Sequence, residues 1–159
     1  VEEIMFLIEY EKQFKEKLEN YSLSKEQLQF TGSPSKAVEL SNSDIDRHPI
    51  LAIENNELVT FFVLHKNEGV KPYSENRKAI LLRTFSTDFR HQGNGYAKQS
   101  LFLLPQFVRT QFPHINEIIL AVNAKNISAQ TLYKKCGYKD EGVRKMGKKG
   151  ELIIMSFYL

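Results

Sequence analysis

Apolar positions fall in two patterns along the chain. Nearly unbroken runs occupy residues 4–8, 50–54, 58–64, 79–87 and 118–122, while residues 10–21, 97–111 and 128–135 carry apolar side chains at helical intervals. Continuous runs of this length read as strands buried inside a sheet, and the spaced ones as amphipathic helices. Residues 4–8 fit either a first strand or the first turn of a helix. Phe14, Leu18 and Tyr21, set among Lys and Glu, predict a helix over residues 10–21. Ser24 with Gln27 three residues on reads as a capping box for a second short helix through Phe30. Residues 31–34 make a turn, and residues 35–40 another helical turn. Asn55-Asn56 between two apolar runs predicts a hairpin.

Residues 65–77 form a polar loop longer than most connections, which points to a binding role or mobility. Residues 79–87 are the central strand. The helix after it contains Pro105, where the missing N–H and the ring predict a kink or a break. Residues 118–122 suit a strand beside a parallel neighbour, and Gly137 suits the end of the helix over 128–135. The tail predicts strands at 138–143 and 151–159 around a basic turn at 145–150. Helices, hairpin, strand-loop-helix, strand-helix and terminal hairpin make a mixed α/β layer arrangement.

Composition narrows the function classes. A chain of 159 residues forms one domain with a core that needs no staples, and the net charge of +3 is too mild for a nucleic-acid binder. No basic stripe carries interleaved stacking aromatics. One cysteine permits no internal disulfide, and with four scattered histidines it argues against structural zinc. No run is long enough to span a membrane. Val1-Glu2-Glu3 is acidic where a signal peptide would be basic, so a cytoplasmic location is expected. The start on valine suggests that the sequence lacks its first residues.

The chemistry concentrates after the central strand, in Gln92-Gly93-Asn94-Gly95-Tyr96-Ala97-Lys98. Gly93 and Gly95 permit positive φ and close approach of a ligand, and Ala97 lets the helix pack closely. The free amides of a helix's first turn, added to its dipole, suit a phosphate. Lys98 stands where a dinucleotide fingerprint needs a third glycine, and no Gly-Lys-Ser/Thr follows at P-loop spacing. The pattern Gln/Arg-x-x-Gly-x-Gly/Ala is filled by Gln92, Gly95 and Ala97, and in an alternative register by Arg90, Gly93 and Gly95. It resembles the pyrophosphate-binding motif of the GNAT family of N-acetyltransferases. The Gln92 register sets Ala97, Leu101, Leu104 and Val108 on one helical face.

A second stretch resembles the same family. Asn126, Ala129, Leu132-Tyr133 and Gly137-Tyr138 meet a pattern of Asn, Ala three residues on, Leu-Tyr six and seven on, and Gly-Phe/Tyr four after the tyrosine. Taken alone, Asn126 is a good helix N-cap and Tyr133 a core aromatic. The resemblance implies an α/β acyl-CoA N-acyltransferase fold, a mixed and mostly antiparallel sheet with splayed central parallel strands flanked by helices. It covers residues 50–159, the expected cofactor-binding core. Residues 1–48 match no usable motif and are expected to form a helical, substrate-side part of the same domain.

The resemblance also implies roles. Acetyl-CoA would be the co-substrate, with no metal, the partner would be a small-molecule or peptide amine substrate, and the protein a monomer or homodimer. The main chain of Phe85, Ser86 and Thr87 would bond the pantetheine amides, as would Asn126. Tyr133 would protonate the departing thiolate, a task that suits a phenol protonated at neutral pH. Lys98, Lys134 and Lys135 are further candidates for the phosphates.

The acceptor amine needs a base or a water path, and here the chain departs from part of the family: Ala121 stands where some members carry a glutamate. By position alone the candidates are Glu54, Glu57, His65, Glu68, Asp88 and His91. Arg83, a charge inside an apolar strand, either snorkels to the edge or receives a substrate carboxylate. Cys136 reads as a small buried residue rather than a nucleophile. The rivals are a catalytically silent acyl-CoA-binding module and a structural domain whose glycine loop merely turns the chain.

Overall fold

The computed structural model describes residues 4–159, so the acidic start at Val1 to Glu3 lies outside the described residues. The first apolar run is a strand, β1 (Phe6–Glu9), paired antiparallel to β2 (Arg47–Glu54). Next to it, β3 (Glu57–His65) and β4 (Ala79–Thr87) continue antiparallel. β4 then runs parallel to β5 (Glu117–Asn123), which is antiparallel to β7 (Gly150–Tyr158), and β6 (Lys139–Gly147) closes the far edge. The seven-stranded order is β1-β2-β3-β4-β5-β7-β6.

Local chemistry accounts for most boundaries. Asn55 and Asn56 hold φ of 51° and 62°, the double left-handed conformation of a tight hairpin turn that asparagine tolerates. Both halves of the Ser24/Gln27 capping box form, at 3.1 and 2.8 Å, at the head of α2 (Lys25–Leu28). Ser33 caps α3 (Pro34–Ser41), with the proline in the first turn where its missing N–H costs nothing.

Three expectations are corrected. Residues 10–21 form a 3-10 turn at Lys12–Phe14 followed by α1 (Lys15–Glu19), not one helix. Phe14, at the N-cap of α1, offers no capping side chain, and so short a helix relies on burying Leu18 against Ala37, Val38 and Phe61. Of the kink or break expected at Pro105, the break does not occur, since α4 runs as one helix over Tyr96–Gln111. Proline inside a helix costs about 3 kcal/mol, whereas burying Leu101, Leu104 and Val108 contributes about 1.5–3 kcal/mol each, so packing wins. The terminal hairpin is longer than expected, its turn only Lys148-Lys149. β6 is an exposed edge strand whose lysines and arginines conceal the strand pattern, and Gly142 at φ 90° absorbs its irregularity between Asp140 and Arg144.

Helices cover both faces of the sheet. Ile50, Phe62, Leu64, Ile80, Leu82, Ile118 and Leu120 lie under Leu101, Leu104 and Val108 of α4, with Leu132 of α5 (Ile127–Lys135) packed beside them. On the other face Leu51, Ile53, Phe61 and Val63 pack with Leu18, Ala37 and Val38. Adjacent residues such as Phe61 and Phe62 therefore serve opposite layers, as strand alternation requires.

Candidate active site

The parallel strands part halfway along. β4 and β5 pair from Ala79 and Glu117 to Leu82 and Leu120 and no further. Beyond that point β4 stays with β3, through Ser86 with Phe61 and Thr87 with Thr60, while β5 stays with β7, through Ala121 with Ile154. At the parting, Thr84 and Phe85 together stand opposite the single Phe62, a bulge. Thr84 is held at φ 56°, which for a β-branched residue costs about 1–3 kcal/mol and persists because the strand is fixed on either side. The gap opens into a cleft of about 830 Å³.

The glycine loop closes one end of this gap. Gly93 and Gly95 have φ of 85° and 78°, and Gly95 is the N-cap of α4. Among the described residues, no main-chain amide from Gly93 to Lys98 donates to a protein acceptor. Gln92 and Ala97 line the cleft. Tyr96 turns its ring away, into a cluster with Met5, Ala52 and Val59, while Lys98 Nζ sits 5.8 Å from the Phe102 ring centroid. Asn94 donates through Nδ2 to the His91 carbonyl at 3.0 Å, which braces the loop.

Tyr133 stands on the gap wall with its ring edge-on to Phe85 at 6.0 Å and to Tyr138 at 5.9 Å. Tyr133 lines the cleft, and its hydroxyl makes no hydrogen bond among the described residues. Burial, with a smaller contribution from Cys136, raises the phenol's pKa above its usual value, so the proton stays on at neutral pH. Burial likewise pushes up the Cys136 thiol, which keeps it unreactive. Asn126 serves both of its readings. Its Oδ1 caps α5 by accepting from the Ala129 amide at 3.3 Å, its Nδ2 has no acceptor among the described residues, and the residue lines the cleft.

The strand beside the gap is more heavily used than expected. Tyr21 donates to the Ser86 carbonyl at 2.7 Å and lies 2.8 Å from Ser86 Oγ. Gln27 Nε2 donates to the Thr87 carbonyl at 2.7 Å, while its Oε1 completes the capping box. The carbonyls of Ser86 and Thr87 thus each already accept a hydrogen bond from the N-terminal segment. Because Asp88 N donates to Val59 O at 3.0 Å, alternation directs the Thr87 amide away from β3, toward the gap. The main chain of Phe85 and that amide are what the strand offers. Sequence reasoning gave Tyr21 only a place on an apolar helical face, and Gln27 only its capping role.

None of the six candidate bases lines the cleft. Asp88 is fully buried, capping the turn at Phe89–His91 and pairing with Arg90 at 2.9 Å. Burial alone would raise its carboxyl, but hydrogen bonds from the Arg90 side chain and amide outweigh this and hold it low. His91 sits 3.4 Å from Glu57, Glu68 pairs with Lys71, and Glu54 borders a different hollow, beside Met5 and Gln99. The acid on the cleft wall is Glu26, at the start of α2, a residue that no sequence motif marks.

His65 lies just behind the cleft, buried, with Nδ1 3.2 Å from Arg83 Nη1 and Nε2 3.4 Å from Asp44 Oδ2. Burial, then Arg47 and Arg83, lowers its pKa, so the ring is neutral at pH 7 and Nδ1 accepts from the guanidinium. Gly69 packs flat on this ring, and a Cβ there would stand 2.2 Å from His65 Cγ. Gly69→Ala is therefore expected to displace the imidazole and destabilise the protein by about 1–3 kcal/mol, read as a lower urea midpoint at unchanged slope. An unshifted midpoint would show that the ring has room to move.

Comparisons with known proteins agree with this arrangement. A model of the Acetyltransferase (GNAT) family matches residues 9–138. The chain is 39% identical over 143 residues to an uncharacterized N-acetyltransferase, YbbJ, of Bacillus subtilis (strain 168), covering 89% of each chain. Its fold is similar to that of AAC(6')-Ib in complex with paromomycin and acetyl-CoA, with TM-score 0.78 and 12% identity over 97% of this chain and 93% of that one. A spermidine N-acetyltransferase from Vibrio cholerae, in complex with CoA and spermine, superposes at TM-score 0.72 with 18% identity over 97% and 95%. With a family model that spans most of its length and a relative this similar in sequence, the chain belongs to the GNAT family of acetyltransferases.

Proposed function

We propose that the protein transfers the acetyl group of acetyl-CoA to a primary amine by direct attack in a ternary complex. The observation that carries the reading is the pairing, within one gap, of a run of unbonded amides at one end with an unpartnered, protonated phenol on the wall. The amides from Gly93 to Lys98 suit the diphosphate, which needs several N–H donors converging where a helix dipole is positive. Phe85 and the Thr87 amide suit the pantetheine arm as an added strand, and Asn126 Nδ2 supplies one more donor.

The thioester brings an activated acyl carbon and a thiolate leaving group. A main-chain N–H of β4 near the Thr84 bulge polarises the reacting carbonyl and stabilises the charge that develops on its oxygen. Tyr133 holds its proton until negative charge builds on sulfur and then delivers it. Glu26 is the carboxylate that the cleft offers to take a proton from the amine. Titration calorimetry with CoA and a thiol-release assay with mixed amines test the reading together. Micromolar or tighter binding with amine-dependent release is expected. Saturable binding with no release on any amine class would mean a silent acyl-CoA-binding module, and no binding would sink both.

A further inference from the structure

On the sheet face that carries α1 to α3, the cleft is lined by Arg83, whose guanidinium pairs with no carboxylate among the described residues. Arg83 shares this face with Leu81, which packs with Val70, Ala79 and Ile119, while Leu82 between them belongs to the core under α4. Arg83 is half-buried and lines the cleft. Among the described residues its one side-chain hydrogen bond goes to the neutral His65 ring. That bond orients the guanidinium without compensating its charge. The nearby Asp44 is already engaged by Arg47 at 3.2 Å. A charge withdrawn from water without a counter-ion is costly, so the arrangement favours a ligand that brings one.

The rest of the wall has the same sign. Lys148 and Lys149 reach the cleft from the β6–β7 turn, and Lys149 Nζ donates to the Gln29 carbonyl at 2.7 Å, bridging the hairpin to the end of α2. Against these three cations the described lining carries one carboxylate, Glu26. A polyamine would meet like charge on this floor. An anion would meet a planar fork whose orientation is already set by His65.

We propose that the acceptor is a small amine that also bears a carboxylate, with the carboxylate paired to Arg83; this rests on the acetyl-transfer reading above. In the reaction the amide C–N bond forms as the thioester C–S bond breaks. Sulfur takes its proton from Tyr133. The ammonium gives up two protons in all, one restoring the phenol and one passing to solvent.

The test is thiol release with a panel of amino acids in which the spacing of amine and carboxylate increases, each beside its primary amide and methyl ester, together with spermidine and an aminoglycoside. At least one free acid is expected to exceed its amide in kcat/KM by roughly 10- to 100-fold, the discrimination a charge-assisted bidentate pair supplies. In Arg83→Gln this ratio should fall toward one through a higher KM for the acid, with calorimetric affinity for CoA unchanged. Should that variant misfold and lose CoA binding, Arg83→Lys, which keeps the charge without the fork, must lower the same ratio. Amides that match their acids, or a ratio that survives both substitutions, would overturn the proposal. Turnover confined to polyamines or aminoglycosides overturns it alone, whereas no release with any amine removes the transferase reading as well.

Discussion

Replacing Tyr133 by phenylalanine is expected to lower kcat by roughly 10²- to 10⁴-fold, the range that a positioned general acid contributes, with little change in affinity for acetyl-CoA. The hydroxyl has no partner among the described residues, so its removal orphans none of their polar groups, and the ring keeps its edge contacts with Phe85 and Tyr138. Stability should therefore shift by less than about 0.5 kcal/mol, and a melting curve separates a chemical loss from a structural one. The pH profile supplies a second readout. Burial raises the phenol's pKa, so the acid form persists beyond the usual value and Tyr133 should impose no falling limb on the rate between neutrality and pH 10. The same shift makes the folded state prefer the protonated ring. Its contribution to stability is complete below the unfolded pKa and is lost as pH rises toward the folded one. Parallel losses in kcat and in acetyl-CoA affinity would deprive Tyr133 of the acid role.

Ala97→Glu is expected to separate folding from cofactor binding. The side chain lies in the first turn of α4, where a carboxylate interacts favourably with the helix dipole, so the variant should fold as well as the parent or gain about 0.3–1 kcal/mol. The same carboxylate projects at the cleft, beside the unbonded amides from Gly93 to Lys98. There it competes for those donors and repels a diphosphate. Affinity for CoA should fall by roughly 100-fold, since each tenfold corresponds to about 1.4 kcal/mol and two like charges in a partly desolvated site readily supply twice that. Calorimetry measures the loss, and urea unfolding measures the stability. Unchanged affinity would place the diphosphate elsewhere and end the phosphate assignment of the loop.

Legibility differed from element to element for physical reasons. β4 and β5 stood out because both are buried in the middle of the sheet, where a strand needs apolar side chains on both faces. The glycine loop and the Asn126 to Tyr138 segment were readable because backbone conformation and capping restrict which residues can stand there. The acceptor side was not. Glu26 and Gln27 stand on the short α2 and Tyr21 in the loop before it; tertiary contacts place all three at the strand or cleft, and local spacing gives no sign of those contacts. β6 was only half visible because an exposed edge strand has no apolar face to display. The importance of Arg83 could be suspected from a charge in an apolar strand. Only the geometry shows that, among the described residues, a neutral imidazole and no carboxylate holds it.

Tyr21 and Gln27 both reach peptide oxygens of the central strand. Every residue presents such an oxygen, so the specificity of the attachment is encoded almost wholly at positions 21 and 27. Substitutions at 86 and 87 that preserve the strand leave the Gln27 anchor in place. A different N-terminal segment, transplanted as a cassette, has only to offer a phenol and a carboxamide at two points to dock, and the central strand need not change to receive it.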